Sequence, residues 1–103
     1  MSKPASLNNK QIRFLRAEAH SMKPVVLIGA AGLTDNVVNE INYALDDHEL
    51  IKVRVNADDR DDKKSMIDSI VRQTDSILVQ AIGHIGIFYR RNEKNPVIEI
   101  PKK

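Results

Sequence analysis

The sequence predicts an α/β domain of the α+β kind, in two layers or three, built around a mixed sheet. Three observations carry this. Apolar residues recur at three- and four-residue spacing in three segments, the pattern of amphipathic helices. Four other segments are short, rich in Val and Ile, and bounded by turn-forming residues, the pattern of strands. The segments follow one another as helix, strand, helix, strand, helix, strand, strand. A chain of 103 residues has room for one core, so residues 1–103 are expected to form a single domain, structured over about 7–102 with loosely ordered tails.

The first helix is expected over Asn8–Met22, with Ile12, Leu15, Ala19 and Met22 on one face, Asn8 or Asn9 as cap, and Pro24 as the stop. Arg13, Arg16 and His20 fall together beside that apolar stripe, with Lys10 before them and Lys23 just beyond. Val25–Ile28 reads as a buried strand. Thr34 caps a second helix whose inward stripe is Val37, Val38, Ile41 and Leu45. That helix ends around Asp46-Asp47-His48-Glu49, where the acids oppose the helix dipole with no local reason for it. From Ile51 to Val55 apolar and basic residues alternate, so this strand has one buried and one basic face. An acidic turn over Asn56–Asp62 leads to a third helix over Asp62–Thr74, with Met66, Ile67, Ile70 and Val71 inward. Strands over Ser76–Ile82 and Ile85–Arg90 are joined at Gly83-His84, and Val97–Ile100 offers a short edge strand.

The chemistry is bounded by what the sequence lacks. There is no Cys, which removes disulfides and thiolate metal sites and fits a reducing compartment. No run approaches the about 18 apolar residues that cross a bilayer, and the first residues carry no apolar signal core, so a cytoplasmic protein is expected. The turn Gly29-Ala30-Ala31-Gly32 lacks the Lys-Ser/Thr of a P-loop and the third glycine of a dinucleotide fingerprint. His20, His48 and His84 have no metal-ligand spacing. Asp58-Asp59-Arg60-Asp61-Asp62 lacks the glycine and closing Glu of a calcium loop and reads better as a solvated cap on the third helix. No Ser stands beside an evident base. No enzyme, cofactor or small-molecule substrate is expected.

What remains is a binding surface. The net charge of +2 hides a segregation along the chain. Bases dominate before Val25, acids between Asp35 and Asp62, and bases again from Lys63 onward. A positive surface of this kind suits a polyanion. Three segments supply it: Lys10, Arg13, Arg16, His20 and Lys23; the turn Gly29, Ala30, Ala31 and Gly32, followed by Thr34 at a helix start; and His84, Tyr89, Arg90 and Arg91 from the last hairpin. A Gly-x-x-Gly turn lets a nucleic-acid backbone come close, and free amides at the next helix start suit phosphate. With two Phe, two Tyr and no Trp, an extended base-stacking platform is not expected, and Tyr89 can equally pack at a sheet edge. Two other readings stay open: a module whose acidic stretch contacts a basic protein, a ribosomal one under the resemblance given next, and an enzyme that uses the turn as an anion cradle.

Several stretches together resemble a known family. They are Lys23-Pro24-Val25-Val26-Leu27-Ile28-Gly29, Gly32-Leu33-Thr34, His48-Glu49-Leu50-Ile51-Lys52-Val53, Gln80-Ala81-Ile82-Gly83, Phe88-Tyr89-Arg90 and Ile98-Glu99-Ile100-Pro101. In order and over nearly the whole chain, they resemble the CRM domain family, named for chloroplast RNA splicing and ribosome maturation, and within it the small stand-alone YhbY-like bacterial members. The resemblance implies a compact fold with a four-stranded mixed sheet, similar to the C-terminal domain of a bacterial translation initiation factor. It also implies RNA binding through the Gly29–Gly32 turn and neighbouring bases, and association with precursors of the large ribosomal subunit. A monomer is expected. Two departures stand out: both positions inside the turn are alanine, and His84 follows the hairpin glycine where the family often has a base. Both remove fixed charge and shift weight to the first helix and to Arg90-Arg91.

Overall fold

The structure is a computed structural model that describes residues 7–29, 31–94, 96–98 and 100. Its elements are α1 (Asn9–Ala19), β1 (Val26–Ile28), α2 (Asp35–His48), β2 (Leu50–Val55), α3 (Arg60–Thr74), β3 (Ile77–Ile82) and β4 (Ile85–Tyr89). The helix starts follow from their caps. Asn8 and Gln11 close a reciprocal capping box, with Gln11 N–H donating to Asn8 Oδ1 at 2.9 Å and Asn8 N–H to Gln11 Oε1 at 3.1 Å. Thr34 caps α2, and Asp59 caps α3 by accepting the Asp62 N–H at 2.8 Å. The acidic run therefore starts α3 at Arg60, two residues earlier than expected. Helix α1 stops at Ala19 rather than Met22. His20 N–H turns back to the Ala17 carbonyl at 3.3 Å, and Pro24 drives the chain into extended backbone.

The four strands run in the order β1-β2-β4-β3, with β1 parallel to β2 and the other pairs antiparallel. The register of β3 against β4 shifts between Leu78 and Gln80, a bulge that leaves Val79 unpaired. Side chains of alternate strand residues pack on opposite faces. Ile51, Val53, Val55 and Phe88 join Ile41 and Leu45 of α2 and Ile67 and Ile70 of α3. Leu50, Ile87, Tyr89 and Val79 join Leu15 and Ala19 of α1. The α+β class and the four-stranded mixed sheet match the expectation. With helices on both faces the arrangement has three layers, so the two-layer form is set aside. Gly86 is required by packing, since a Cβ there would lie 2.8 Å from Cε2 of Phe88.

The segment after β4 forms no edge strand among its described residues, contrary to the reading of Val97–Ile100 (Glu99 lies outside the described residues). Its amides are engaged elsewhere. Glu49 is fully buried, and its carboxylate accepts the N–H groups of Asn92, Val97 and Ile98, each at 2.6 Å. Its own carbonyl accepts Arg90 N–H at 2.8 Å. Glu49 has a φ of 62°, a conformation costly for a residue with a side chain. These contacts explain why an acid ends α2 in spite of the dipole. Replacing Glu49 by Ala is expected to lower stability by about 2–4 kcal/mol. It should also release amide protection at Asn92, Val97 and Ile98, as read by urea unfolding and hydrogen exchange.

Candidate nucleic-acid interface

The parallel pair β1 and β2 ends where α2 and α3 begin, so turns from several elements meet at one end of the sheet. Asn56 N–H donates to the Ile28 carbonyl at 3.2 Å, and Val55 N–H to the His84 carbonyl at 2.6 Å. These bonds place the Gly29–Gly32 turn, the start of the β2–α3 link and the His84 hairpin side by side. The turn closes through Gly32 N–H to the Gly29 carbonyl at 3.0 Å, with Gly32 at a φ of 77° that glycine adopts without strain. Gly29 is different. A Cβ at that position would meet nothing within 4 Å, so packing does not demand the glycine, and the bare backbone leaves room for a close approach from outside.

The amides here are only partly available. Gly32 N–H is used inside the turn, Thr34 N–H donates to the Gly32 carbonyl at 3.1 Å, and Thr34 Oγ1 caps Val37 N–H at 3.3 Å. The amides of Asp35 and Asn36 begin the helix, but the Asp35 carboxylate stands beside them and repels an anion. Contact at this corner therefore rests on closeness of the backbone more than on charge. Ala31 is exposed. Ala30 lies outside the described residues.

The cations of α1 stand on another layer. Lys10, Arg13, Arg16 and His20 are all exposed along its outer side, and Lys23 is exposed in the link to β1. No described residue holds any of them in an ion pair. Between α1 and the turn lie Lys52 and Arg54 on β2, which pair with Ile87 and Ile85 and so face the α1 side. The sequence marked that strand face as basic without assigning it to the site. Lys63, in the first turn of α3, donates from Nζ to the Gly83 carbonyl and fixes the tip of the hairpin beside His84. Nothing in the sequence pointed to that bond, because the partners are distant in the chain.

The last hairpin does not converge on the turn as a whole. Ile85 pairs with Arg54 near the turn, whereas Tyr89 pairs with Leu50 at the far end of β2. Four residue steps of about 3.4 Å separate them, or about 14 Å. Tyr89 is 3% exposed and belongs to the α1-side core, so its ring is not available for stacking. Arg90 is a structural cation. Its Nη1 donates to Asn42 Oδ1 at 2.8 Å and to the Thr74 carbonyl at 2.7 Å, while Nη2 donates to the Asn42 carbonyl at 3.1 Å and to Asp46 Oδ1 at 2.8 Å. Tyr89 and Arg90 therefore leave the candidate interface. Arg91 stays exposed but at the far end.

A profile of the CRS1 / YhbY (CRM) domain matches residues 7–90. The chain belongs to this family. An RNA-binding protein of Haemophilus influenzae is 47% identical to this CRM domain over 98 residues, spanning 95% of this chain and 98% of its own. The Bacillus subtilis protein YqeI, named a probable RNA-binding protein, is 39% identical over 95 residues, 92% of this chain and 99% of its own. The solution structure of a hypothetical Staphylococcus aureus protein, described as a candidate RNA-binding protein, matches with a TM-score of 0.80 at 40% identity, over 93% of this chain and 100% of that one. Among the described residues of the CRM domain, no helix is long and apolar enough to cross a membrane, and no group of three His, Cys, Asp or Glu could hold a metal ion.

Burial raises the Tyr89 phenol above its ordinary value of 10.0, the Glu49 carboxylate adds to the rise, and Arg91 opposes it. The folded domain thus holds the neutral phenol more tightly than the unfolded chain does. Its contribution to stability is complete below pH 10 and is lost as pH climbs through the folded value. In a Tyr43→Phe variant, where Tyr89 is the one phenol left, phenolate absorbance should appear above pH 10, and the denaturation midpoint should fall over the same range.

Proposed function

We propose that this CRM domain is a non-catalytic RNA-binding protein, acting as a cytoplasmic monomer without a cofactor. In this reading it docks on ribosomal RNA in precursors of the large ribosomal subunit and aids their assembly. One observation carries the reading: Lys10, Arg13 and Arg16, with His20 beside them, form an exposed basic side of α1 that no described residue pairs, in a chain whose relatives over nearly their full length are named an RNA-binding protein and a probable RNA-binding protein. Arg forks grip phosphates in pairs of hydrogen bonds, and unpaired Arg needs no internal contact broken before it binds. Lys52 and Arg54 continue that surface toward the Gly29–Gly32 turn, where the bare backbone at Gly29 admits a sugar–phosphate chain. Arg91 would add only a peripheral charge.

Binding of structured ribosomal RNA fragments should weaken at low salt when Arg13 and Arg16 are both reversed to Glu. The slope of log affinity against log salt should become shallower by about two, roughly one for each phosphate that the two guanidinium groups no longer neutralise. An unchanged affinity and slope would remove α1 from the interface. In a separate measurement, the protein in cell lysate should sediment on a sucrose gradient with large-subunit precursor particles and leave them after ribonuclease treatment. Recovery in the free fractions alone would contradict the ribosomal part of the reading, and retention after ribonuclease would favour a protein partner.

A further inference from the structure

Leu27, Arg54, Ile85 and Ile82 stand in one line across all four strands. Leu27 pairs with Arg54, Arg54 with Ile85, and Ile85 with Ile82. Directly paired residues share a face of a sheet, and Ile85 packs with the α1-side core, so the whole line lies on the α1 face. Helix α1 does not cover it. Leu27 is 57% and Ile82 60% exposed, and Arg54 is exposed between them. Core packing does not account for two large apolar side chains held open on either side of a guanidinium. The line ends beside the corner already described, with Gly29 two residues past Leu27 and His84 two residues past Ile82.

The electrostatics select the occupant. The four strands, VLI, LIKVRV, ILVQAI and IGIFY, contain no acidic residue, and both of their basic residues, Lys52 and Arg54, face this side. The ligand is therefore negatively charged and also presents flat apolar surface. Unpaired nucleotides have both properties, since their base faces are free to lie on apolar side chains or on the plane of an Arg, while in a duplex those faces are hidden within the stack. Resting on the RNA-binding reading above, we propose that the Leu27–Arg54–Ile85–Ile82 line is a platform for unpaired nucleotides flanking the structured RNA held by α1. The base faces lie against Leu27, Ile82 and the Arg54 guanidinium, and the phosphates run past Lys52 and the Gly29 turn.

The test uses the full chain and two RNAs: one hairpin with blunt ends, and the same hairpin with a single-stranded tail. Wild-type protein should bind the tailed RNA about tenfold more tightly. Leu27→Ser and Ile82→Ser alter exposed side chains, and unchanged thermal midpoints will show that the fold is kept. Each should remove most of the tail advantage while leaving the blunt-hairpin affinity and the salt slope as in the wild type. Arg54→Lys keeps the charge but not the plane, and should also reduce the tail advantage. Equal affinity of wild type for the two RNAs, or a tail advantage that survives all three substitutions, overturns the platform and leaves the RNA-binding reading intact. Absence of binding to either RNA at low salt overturns the RNA-binding reading itself. Binding of polyglutamate that is lost in the same variants would assign the line to an acidic protein segment and likewise overturn the platform.

Discussion

The carboxylate of Glu49 is the constraint on which this fold turns. A buried charge is tolerated only where hydrogen bonds replace its water, and here three backbone amides from one later segment do so. The same residue holds a backbone angle that side chains rarely adopt, so the bonds also offset local strain. Arg90 extends the junction, reaching Asn42 and Asp46 on α2 and the last carbonyl of α3 at Thr74. Two helices, the end of β4 and the segment beyond it are thereby locked together at one end of the sheet. The opposite end keeps its glycine corner and the Arg54 side chain open.

The order of layers converts a pattern along the chain into a pattern in space. The basic first segment becomes the α1 layer, and the acidic middle becomes α2, the approach to α3 and its first turn, which belong to the other layer. The sheet between them has bases on its α1 side and no acid in its strands. A net charge of only +2 therefore coexists with a strongly polar molecule. Such a molecule approaches a polyanion in one preferred orientation, because α2, with Asp35, Glu40, Asp46 and Asp47 and no Lys or Arg, is repelled from the surface that attracts α1.

Most of the elements were legible in the sequence because the signals that define them are local. Asn8, Thr34 and Asp59 cap the helices they precede, and the alternation from Ile51 to Val55 places those side chains on the faces expected of them. Long-range partners were not legible. The acids ending α2 break a local rule, and only the fold shows that Asp46 answers Arg90 and Glu49 answers the segment near Val97. The candidate site divides in the same way. The exposure of Arg13 and Arg16 follows from helical spacing. The burial of Tyr89 and the internal bonding of Arg90 follow from pairing with Leu50 and packing against α2, which no spacing reveals. The line of Leu27, Arg54, Ile85 and Ile82 needed the strand order, since its members are far apart in sequence.

The unpaired Val79 has an effect out of proportion to its size. Before it, Leu78 sits opposite Phe88 on the side of α2 and α3; after it, Ile82 sits opposite Ile85 on the other side. Were Val79 paired with Ile87 in an unbroken ladder, the parity of β3 would be inverted downstream, with Ile82 turned toward α3 and Ala81 on the α1 side in its place. The chemistry of the strand tip is thus written in where the ladder slips rather than in residue identity. A change that closed the bulge while keeping every residue would alter the molecular surface at this tip more deeply than most substitutions along the strand.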